Sequence, residues 1–121
     1  MCNKTNPSNF SRLVDFFASP YVKIPDRIYH PDLEVYDSVK DESLLRKASV
    51  LLAITCDTMD SSSHVVLTVR SANLKSHAGQ ISLPGGTQEE QDMDHVATAL
   101  RESQEEIGLR ADQVEIIGSL G

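Results

Sequence analysis

Cysteine and long apolar runs are both scarce in this chain of 121 residues. The two cysteines, Cys2 and Cys56, lie far apart and have no metal-ligand spacing, which argues against a disulfide framework or a zinc site and favours a reducing compartment. The longest largely apolar run, from Ala48 to Cys56, is far shorter than the roughly 20 residues that a spanning helix requires. The sequence therefore predicts a single domain without a transmembrane helix.

Basic residues are also few, with 11 Lys+Arg against 18 Asp+Glu and a formal net charge of -7. This balance argues against unassisted binding to nucleic acid or to an anionic membrane, so an anionic substrate would need a metal cation. Arg12 and Asp15 interrupt the first apolar residues, which argues against a secretory signal. We expect a cytoplasmic location, with a mitochondrial or peroxisomal one left open. The histidines show no mutual metal-ligand spacing and are interpreted as surface or locally hydrogen-bonded side chains: His30, His64, His77 and His95.

Hydrophobic periodicity predicts both helices and strands in the first two thirds of the chain. Apolar residues at near-helical spacing predict a docking helix from Ser8 to Ala18. Prolines between Ser19 and Lys40 predict an extended arm, followed by a short helical turn from Asp41 to Lys47. The stretch from Ala48 to Thr55 predicts a buried strand, with its antiparallel partner from His64 to Arg70.

A loop with paired glycines is predicted from Ser71 to Gly86. Gly85 and Gly86 follow a proline, and they can leave main-chain groups accessible to a phosphate or a metal. Such a Pro-Gly-Gly sequence is also common as a plain tight turn, and both interpretations stay open. Near the end of the chain, the run from Val114 to Leu120 predicts another strand.

An acidic helix is predicted after this loop, beginning at Asp92 or Asp94 and ending at Gly108. Four residues at helical spacing form the stripe expected to pack on the sheet, and the carboxylates are expected to face away from it: Val96, Leu100, Ser103 and Ile107.

Three carboxylates share one turn of that helix. Glu102, Glu105 and Glu106 stand at positions i, i+3 and i+4, with Arg101 beside them. A hard divalent cation such as Mg2+ or Mn2+ would offset the repulsion between them. A solvated acidic face, screened by water and counter-ions, is the alternative.

Gly86, an acid in the following loop and the segment from Arg101 to Leu109 together resemble the Nudix box. Its pattern is glycine, five residues, glutamate, seven residues, and then Arg-Glu-aliphatic-any-Glu-Glu-any-Gly-aliphatic; Ser103 stands at the first aliphatic position. The acidic position of the pattern falls on Asp92 when it is counted forward from Gly86, and on Met93 when it is counted back from Arg101. The loop thus carries one extra residue, and Asp replaces Glu.

The segment before the box resembles the signature of coenzyme A pyrophosphatases, in which Leu-Leu-Thr-x-Arg-Ser/Ala is followed by Arg, Gly and Phe-Pro-Gly-Gly at intervals of three residues. Here the first part is supplied by the run from Leu67 to Ser71, Lys75 replaces the second Arg, and Leu83 replaces the Phe. Lysine keeps the charge but cannot make a bidentate phosphate contact. The two motifs together cover the chain from Leu67 to Leu109.

The resemblance implies a Nudix fold, which is a mixed β-sheet sandwiched between helices and belongs to the α/β (α+β) class. It implies hydrolysis of the pyrophosphate bond of coenzyme A or a derivative, giving 3',5'-ADP and 4'-phosphopantetheine, with Mg2+ or Mn2+ as cofactor. The implied metal ligands are Glu102, Glu105 and Glu106. The implied catalytic residues are Glu102, Glu105 and Arg101, of which Arg101 orients Glu102. The implied substrate-binding residues are Arg70, Lys75, Gly85 and Gly86.

The family resemblance also divides the chain. Residues 1–45 are expected to form the N-terminal helix and arm, and residues 46–121 the N-terminal part of one Nudix domain, because the family's domain normally continues past the box. Two other functions stay open: hydrolysis of another nucleoside diphosphate derivative such as NADH or ADP-ribose, and binding by an inactive chain. A homodimer is left open as well.

Overall fold

A computed structural model describes residues 9–20, 43, 45–56, 62–73 and 78–120. Helix α1 is Asn9–Ala18, and helix α2 is His95–Ile107, followed by a short 3-10 helix at Ala111–Gln113. The strands in chain order are β1 Ala48–Val50, β2 Ile54–Cys56, β3 Ser63–Val65, β4 Thr68–Val69, β5 Ile81–Ser82 and β6 Gly85–Thr87. The predicted mixture of helices and strands is confirmed. Neither described helix is long and apolar enough to cross a membrane.

The strands form three antiparallel pairs, which join three segments of the chain to one another. Strand β1 pairs with β6, β2 with β3, and β4 with β5. Backbone hydrogen bonds continue the pairing past the strand ends, from Leu51 N to Pro84 O at 2.8 Å and from Val66 N to Ala53 O at 2.9 Å. Each of the segments 48–56, 63–70 and 80–87 therefore pairs with both of the others.

The predicted buried strand over Ala48–Thr55 is wrong in two respects. It is divided into β1 and β2, and only β2 forms the predicted hairpin, in which Ile54 lies opposite Val65. Its apolar side chains are not all covered, since Val50 is 60% exposed. A strand directs alternate side chains to opposite faces, so α2, which packs against β1 and β6, covers only one face of this run.

Helix α2 begins and ends where side-chain and backbone caps are available. Of the two predicted caps, Asp94 is the one used: its Oδ1 accepts a hydrogen bond from Ala97 N at 2.7 Å. Gly108 ends the helix with a left-handed φ of 69°, which glycine adopts without steric cost, and its N–H donates to Gln104 O.

The face of α2 that packs on the sheet differs from the predicted stripe. Ser103 is buried as expected, and its Oγ donates to Ala99 O at 2.7 Å. Thr98 and Ala99 are also buried, whereas Ile107 is exposed. The most buried positions of α2 are therefore the small side chains at 98, 99 and 103, whereas Val96 and Leu100 of the predicted stripe are half-buried.

The predicted strand from Val114 to Leu120 is wrong, because these residues have no regular secondary structure. No described strand offers them the hydrogen bonds that a strand requires. Gly118 instead contacts the Phe17 ring of α1, and a Cβ added at Gly118 would overlap that ring. The predicted docking helix is confirmed from Asn9, whereas Ser8, nearly all of the arm and residues 41, 42 and 44 of the predicted turn lie outside the described residues.

Candidate functional site

The two adjacent glycines lie in strand β6, which corrects the prediction of a continuous loop from Ser71 to Gly86. A Cβ at Gly85 would lie 2.6 Å from Val50 Cα of the paired strand. A Cβ at Gly86 would lie 2.5 Å from the carboxyl carbon Cδ of Glu102 on α2. The glycines therefore do permit a close approach, which in this structure is made by strand β1 at Gly85 and by a carboxylate at Gly86.

Glu102 consequently faces the sheet, and the expectation that all three carboxylates face away from it is wrong for this residue. Its side chain is only 17% exposed, whereas that of Glu105 is 60% exposed. Glu106 is also exposed, as expected. Glu102 lies at the edge of the packed face of α2. Glu105 and Glu106, three and four residues later, therefore point towards solvent.

Arg101 is the centre of a network of ionic hydrogen bonds. Its Nε donates to Asp92 Oδ1 at 3.0 Å, and its Nη2 donates to Asp92 Oδ2 at 3.0 Å, which makes a bidentate pair. Nη2 also donates to the Thr87 carbonyl of β6 at 3.0 Å. The guanidinium is thus fixed on one side by the loop and on the other by the strand.

The remaining nitrogen of Arg101 points to the acidic turn. Nη1 donates to Glu102 Oε1 at 3.0 Å and to Glu105 Oε1 at 3.3 Å. Glu89 adds a longer ion pair, with its Oε1 3.8 Å from Nη1. Because Nε and Nη2 are occupied by Asp92 and Thr87, the direction of Nη1 towards the two glutamates is determined by the planar fork.

Asp92 is a buried carboxylate whose oxygens are all satisfied. Its side chain is 4% exposed, and besides Arg101 it accepts from Glu89 N at 2.9 Å and from Thr98 Oγ1 at 3.1 Å, both at Oδ2. The hydrogen bonds from Arg101, with those from Glu89 and Thr98, lower the pKa of Asp92 from 3.8 to about 2. The bond to Asp92 in turn raises the pKa of Arg101. The pair therefore stays ionised throughout the neutral range.

The acidic turn offers ligands of the type that Mg2+ and Mn2+ prefer, since all of them are carboxylate oxygens. Glu102 and Glu105 are bound to Arg101, and the Glu106 side chain forms no hydrogen bond or ion pair within the described residues. Among the residues that the structure describes, no three His, Cys, Asp or Glu side chains converge as a metal cluster would. The residues thus fit a divalent cation in the chemistry of their ligand atoms and in their shared helical turn, where the Glu102 carboxylate lies against Gly86.

Of the two predicted cationic substrate ligands, only one is described. Arg70 follows β4, and its backbone pairs with Gln80 O at 2.9 Å. Its side chain is half-buried, and Nε is a buried atom without a hydrogen-bond partner in the described part of the chain. Lys75 lies outside the described residues. No hydrogen bond or ion pair in the described ranges joins Arg70 to α2.

Comparison with known families gives a match over the part of the chain that holds these elements. The NUDIX domain matches residues 46–121.

The chain belongs to the Nudix family.

Nudix hydrolases generally use divalent metal ions and act on small-molecule substrates. The mixed α/β structure is consistent with the Nudix fold.

Relatives from bacteria and plants share the same region. The "Uncharacterized Nudix hydrolase NudL" of Photorhabdus laumondii is 44% identical over 75 residues, which are 62% of this chain and 38% of that protein. The protein of the same name in Pectobacterium atrosepticum is 37% identical over 95 residues, covering 78% of this chain and 48% of its own length. "Nudix hydrolase 15, mitochondrial" of Arabidopsis thaliana is 44% identical over 75 residues, 62% of this chain and 26% of that protein. The chain thus spans less than half the length of each of these relatives.

Sequence reasoning missed several partners of Arg101 and left the role of Asp92 open. In the structure Asp92 is the bidentate partner of Arg101, although its distance from Arg101 along the chain differs from the Nudix pattern by one residue. Thr98 and the Thr87 carbonyl were not foreseen. No sequence signal marks a carbonyl, but Thr98 lies one helical turn before Arg101, where a hydroxyl can reach the same loop.

Proposed function

We propose that this Nudix chain carries the metal-binding centre of an enzyme that hydrolyses the pyrophosphate bond of coenzyme A or a derivative, giving 3',5'-ADP and 4'-phosphopantetheine. One observation carries the proposal: Arg101 holds Glu102 and Glu105 together beside Gly86, directly after the segment that resembles the coenzyme A pyrophosphatase signature. Two carboxylates held on one helical turn can bind a divalent cation, and a substrate with two linked phosphates needs such cationic charge to approach an acidic chain.

Glu102, Glu105 and Glu106 are the proposed ligands of Mg2+ or Mn2+. When bound, the cation supplies neutralising charge at the phosphoryl oxygens and lowers the pKa of water. Glu102 and Glu105 are also the proposed catalytic carboxylates, and Arg101 orients both of them by hydrogen bonds.

The substrate phosphates are proposed to bind next to strand β6, at Gly85 and Gly86. The absence of a Cβ at Gly86 lets the Glu102 carboxylate lie against β6, and Gly85 allows β6 to lie close to β1. Arg70 is a proposed phosphate ligand because the buried Nε has no hydrogen-bond partner among the described residues, and an anion would satisfy it. Lys75 is proposed on its place in the signature alone.

Hydrolysis assays with matched variants test this proposal. The purified chain is incubated with Mg2+ and, separately, coenzyme A, NADH or ADP-ribose, and the products are separated by chromatography. We expect cleavage of coenzyme A that stops on chelation with EDTA and resumes on addition of Mg2+. Glu105→Gln keeps the size of the side chain and removes its charge, so it should lower the rate by at least about 100-fold.

The control variant is Asp112→Asn, which removes a carboxylate that is paired with Arg110 away from the acidic turn. Its rate should equal that of the parent chain. Preferential cleavage of NADH or ADP-ribose would favour the second candidate, a Nudix hydrolase for another nucleoside diphosphate derivative. A folded chain that cleaves none of the three would favour the inactive binding chain.

Three further features remain proposals. Residues 1–45 are proposed as a helix and arm, and 46–121 as the N-terminal part of the Nudix domain. A cytoplasmic location is proposed from the small number of cysteines, and a mitochondrial one stays open, since one plant relative carries that location in its name. Size-exclusion chromatography with light scattering would show whether two copies associate.

A further inference from the structure

One face of the three paired segments is made of aliphatic side chains. Residues directly opposite each other in antiparallel strands share a face, and so do alternate residues along one strand. The registers of the three strand pairs, continued by the backbone hydrogen bonds at Leu51 and Val66, place nine positions on one face. This surface, the aliphatic face, consists of Val50, Leu52, Ile54, Val65, Leu67, Val69, Ile81, Leu83 and Gly85.

Helix α2 lies on the opposite face, where Gly86 meets the Glu102 carboxylate. That opposite face includes the polar residues Ser49, Thr68 and Ser82. An antiparallel sheet with one solvated face shows the reverse order, with apolar side chains towards its helix and polar ones in water. Six side chains of the aliphatic face are nevertheless between 46% and 73% exposed: Val50, Leu52, Val65, Leu67, Val69 and Ile81. The aliphatic face therefore has the composition of a buried surface and the exposure of an open one.

We propose that the aliphatic face packs against the same face of a second copy of this chain, which gives a dimer with a two-fold axis. The six exposed side chains amount to roughly 500 Å² of apolar surface in each copy. Two copies would bury about 1,000 Å² in all, which is the size that a specific interface needs. Sheets pack in this way with about 10 Å between them, filled by the side chains of the two inner faces.

The charge of the chain favours the same surface. Each copy carries a formal net charge of -7, so two copies repel one another. None of the nine positions of the aliphatic face has an ionisable side chain, and contact through it brings no like charges together. Arg101 and Glu102 belong to α2 on the opposite face, so this pairing leaves them accessible. The pairing of two copies does not depend on any hydrolytic activity.

Light scattering after size-exclusion chromatography tests the proposal on the full chain at about 1 to 100 µM. The parent should elute with twice the chain mass of 13.3 kDa. Val69→Glu should weaken the dissociation constant by about 100-fold or more, because the two-fold axis places two glutamates in one apolar interface. Val69 is largely exposed, so this change costs the separate chain little stability, which circular dichroism would check. Met93→Glu is the control, since Met93 is exposed beside α2 and lies outside the aliphatic face, and it should dimerise as the parent does.

Photo-crosslinking locates the contact without disrupting it and decides the matter if Val69→Glu does not fold. A benzophenone amino acid in place of Ile81 should give covalent dimers on irradiation, whereas the same group in place of Met93 should not. A parent chain that stays monomeric at every concentration, or that forms aggregates of no fixed mass, would overturn the proposal. Equal dissociation constants for Val69→Glu and Met93→Glu, or equal crosslinking from positions 81 and 93, would overturn it as well.

Discussion

Replacing Gly86 with alanine tests whether the close approach of Glu102 to β6 serves function more than stability. The new Cβ would lie 2.5 Å from Cδ, 2.6 Å from Oε1 and 2.7 Å from Oε2 of Glu102. Non-bonded carbon atoms require about 3.5 Å, so the carboxylate must retreat by about 1 Å. The atoms that must move are the end of a flexible side chain, and no backbone atom is among the nearest contacts.

The retreat has a small effect on the fold and a large one on the centre. Alanine in a strand is about 0.5 to 1 kcal/mol more favourable than glycine, which offsets much of the cost of moving Glu102. The 3.0 Å hydrogen bond between Arg101 Nη1 and Glu102 Oε1 is lost or lengthened by the same movement. A misplacement of about 1 Å in a catalytic centre lowers the rate by roughly 100-fold. We therefore expect Gly86→Ala to hydrolyse coenzyme A about 100-fold more slowly, with a thermal midpoint within about 4 °C of the parent.

Gly85→Ala is the matched comparison, because the neighbouring glycine faces backbone instead of a side-chain end. A Cβ there would lie 2.6 Å from Val50 Cα, so β1 and β6 must separate. We expect a loss of about 2 kcal/mol or more, seen as a fall of about 8 °C or more in the thermal midpoint. Differential scanning fluorimetry and initial rates with Mg2+ measure the two quantities. Full hydrolytic activity in Gly86→Ala, or equal thermal losses in both variants, would refute the reasoning.

Two further predictions concern the network around Arg101, and a third concerns the packed face of α2. Arg101→Lys should lower the hydrolysis rate by about 100-fold, because one ammonium group cannot bind Asp92 in a bidentate manner and reach Glu102 as well; an unchanged rate would contradict the role of the fork. The hydrogen bonds that lower the pKa of Asp92 from 3.8 to about 2 stabilise the fold fully above pH 3.8, and this contribution is lost as the pH falls towards 2. The free energy of unfolding, measured in urea, should therefore fall less between pH 7 and pH 2.5 in Asp92→Asn than in the parent chain. Ser103→Leu should lower the free energy of unfolding in urea by about 1 to 3 kcal/mol, because Ser103 is fully buried and the larger side chain does not fit. Ser103→Ala should lower it by at most about 1.5 kcal/mol. Equal losses of unfolding free energy in the two variants would show that the site is not tightly packed.

Local features of the site were predictable from sequence because they depend on nearby residues. The limits of α2 follow from Asp94 and Gly108, whose capping roles require only the adjacent turn of helix. The β2–β3 hairpin follows from two apolar runs on either side of a polar segment. The bond from Arg101 to Glu102 was expected from the family resemblance, and the structure shows it, together with a bond from Arg101 to Glu105 at the i,i+4 position.

Features that depend on distant pairing were not predictable. The division of the apolar run at 48–56 arises because β1 pairs with Gly85–Thr87, more than thirty residues later. The strand predicted at 114–120 is absent from the described structure, because β propensity forms a strand only where a neighbour accepts its hydrogen bonds.

The sequence by itself determined the acidic turn, its flanking arginine, the paired glycines and the family to which the chain belongs, because these are fixed by residue type and spacing. Only the tertiary structure decided that Asp92, at the position counted forward from Gly86, binds Arg101. It also decided that Gly86 makes room for Glu102. The physical reason is that ion pairs and close contacts depend on distances in space, which the order of residues along the chain does not fix.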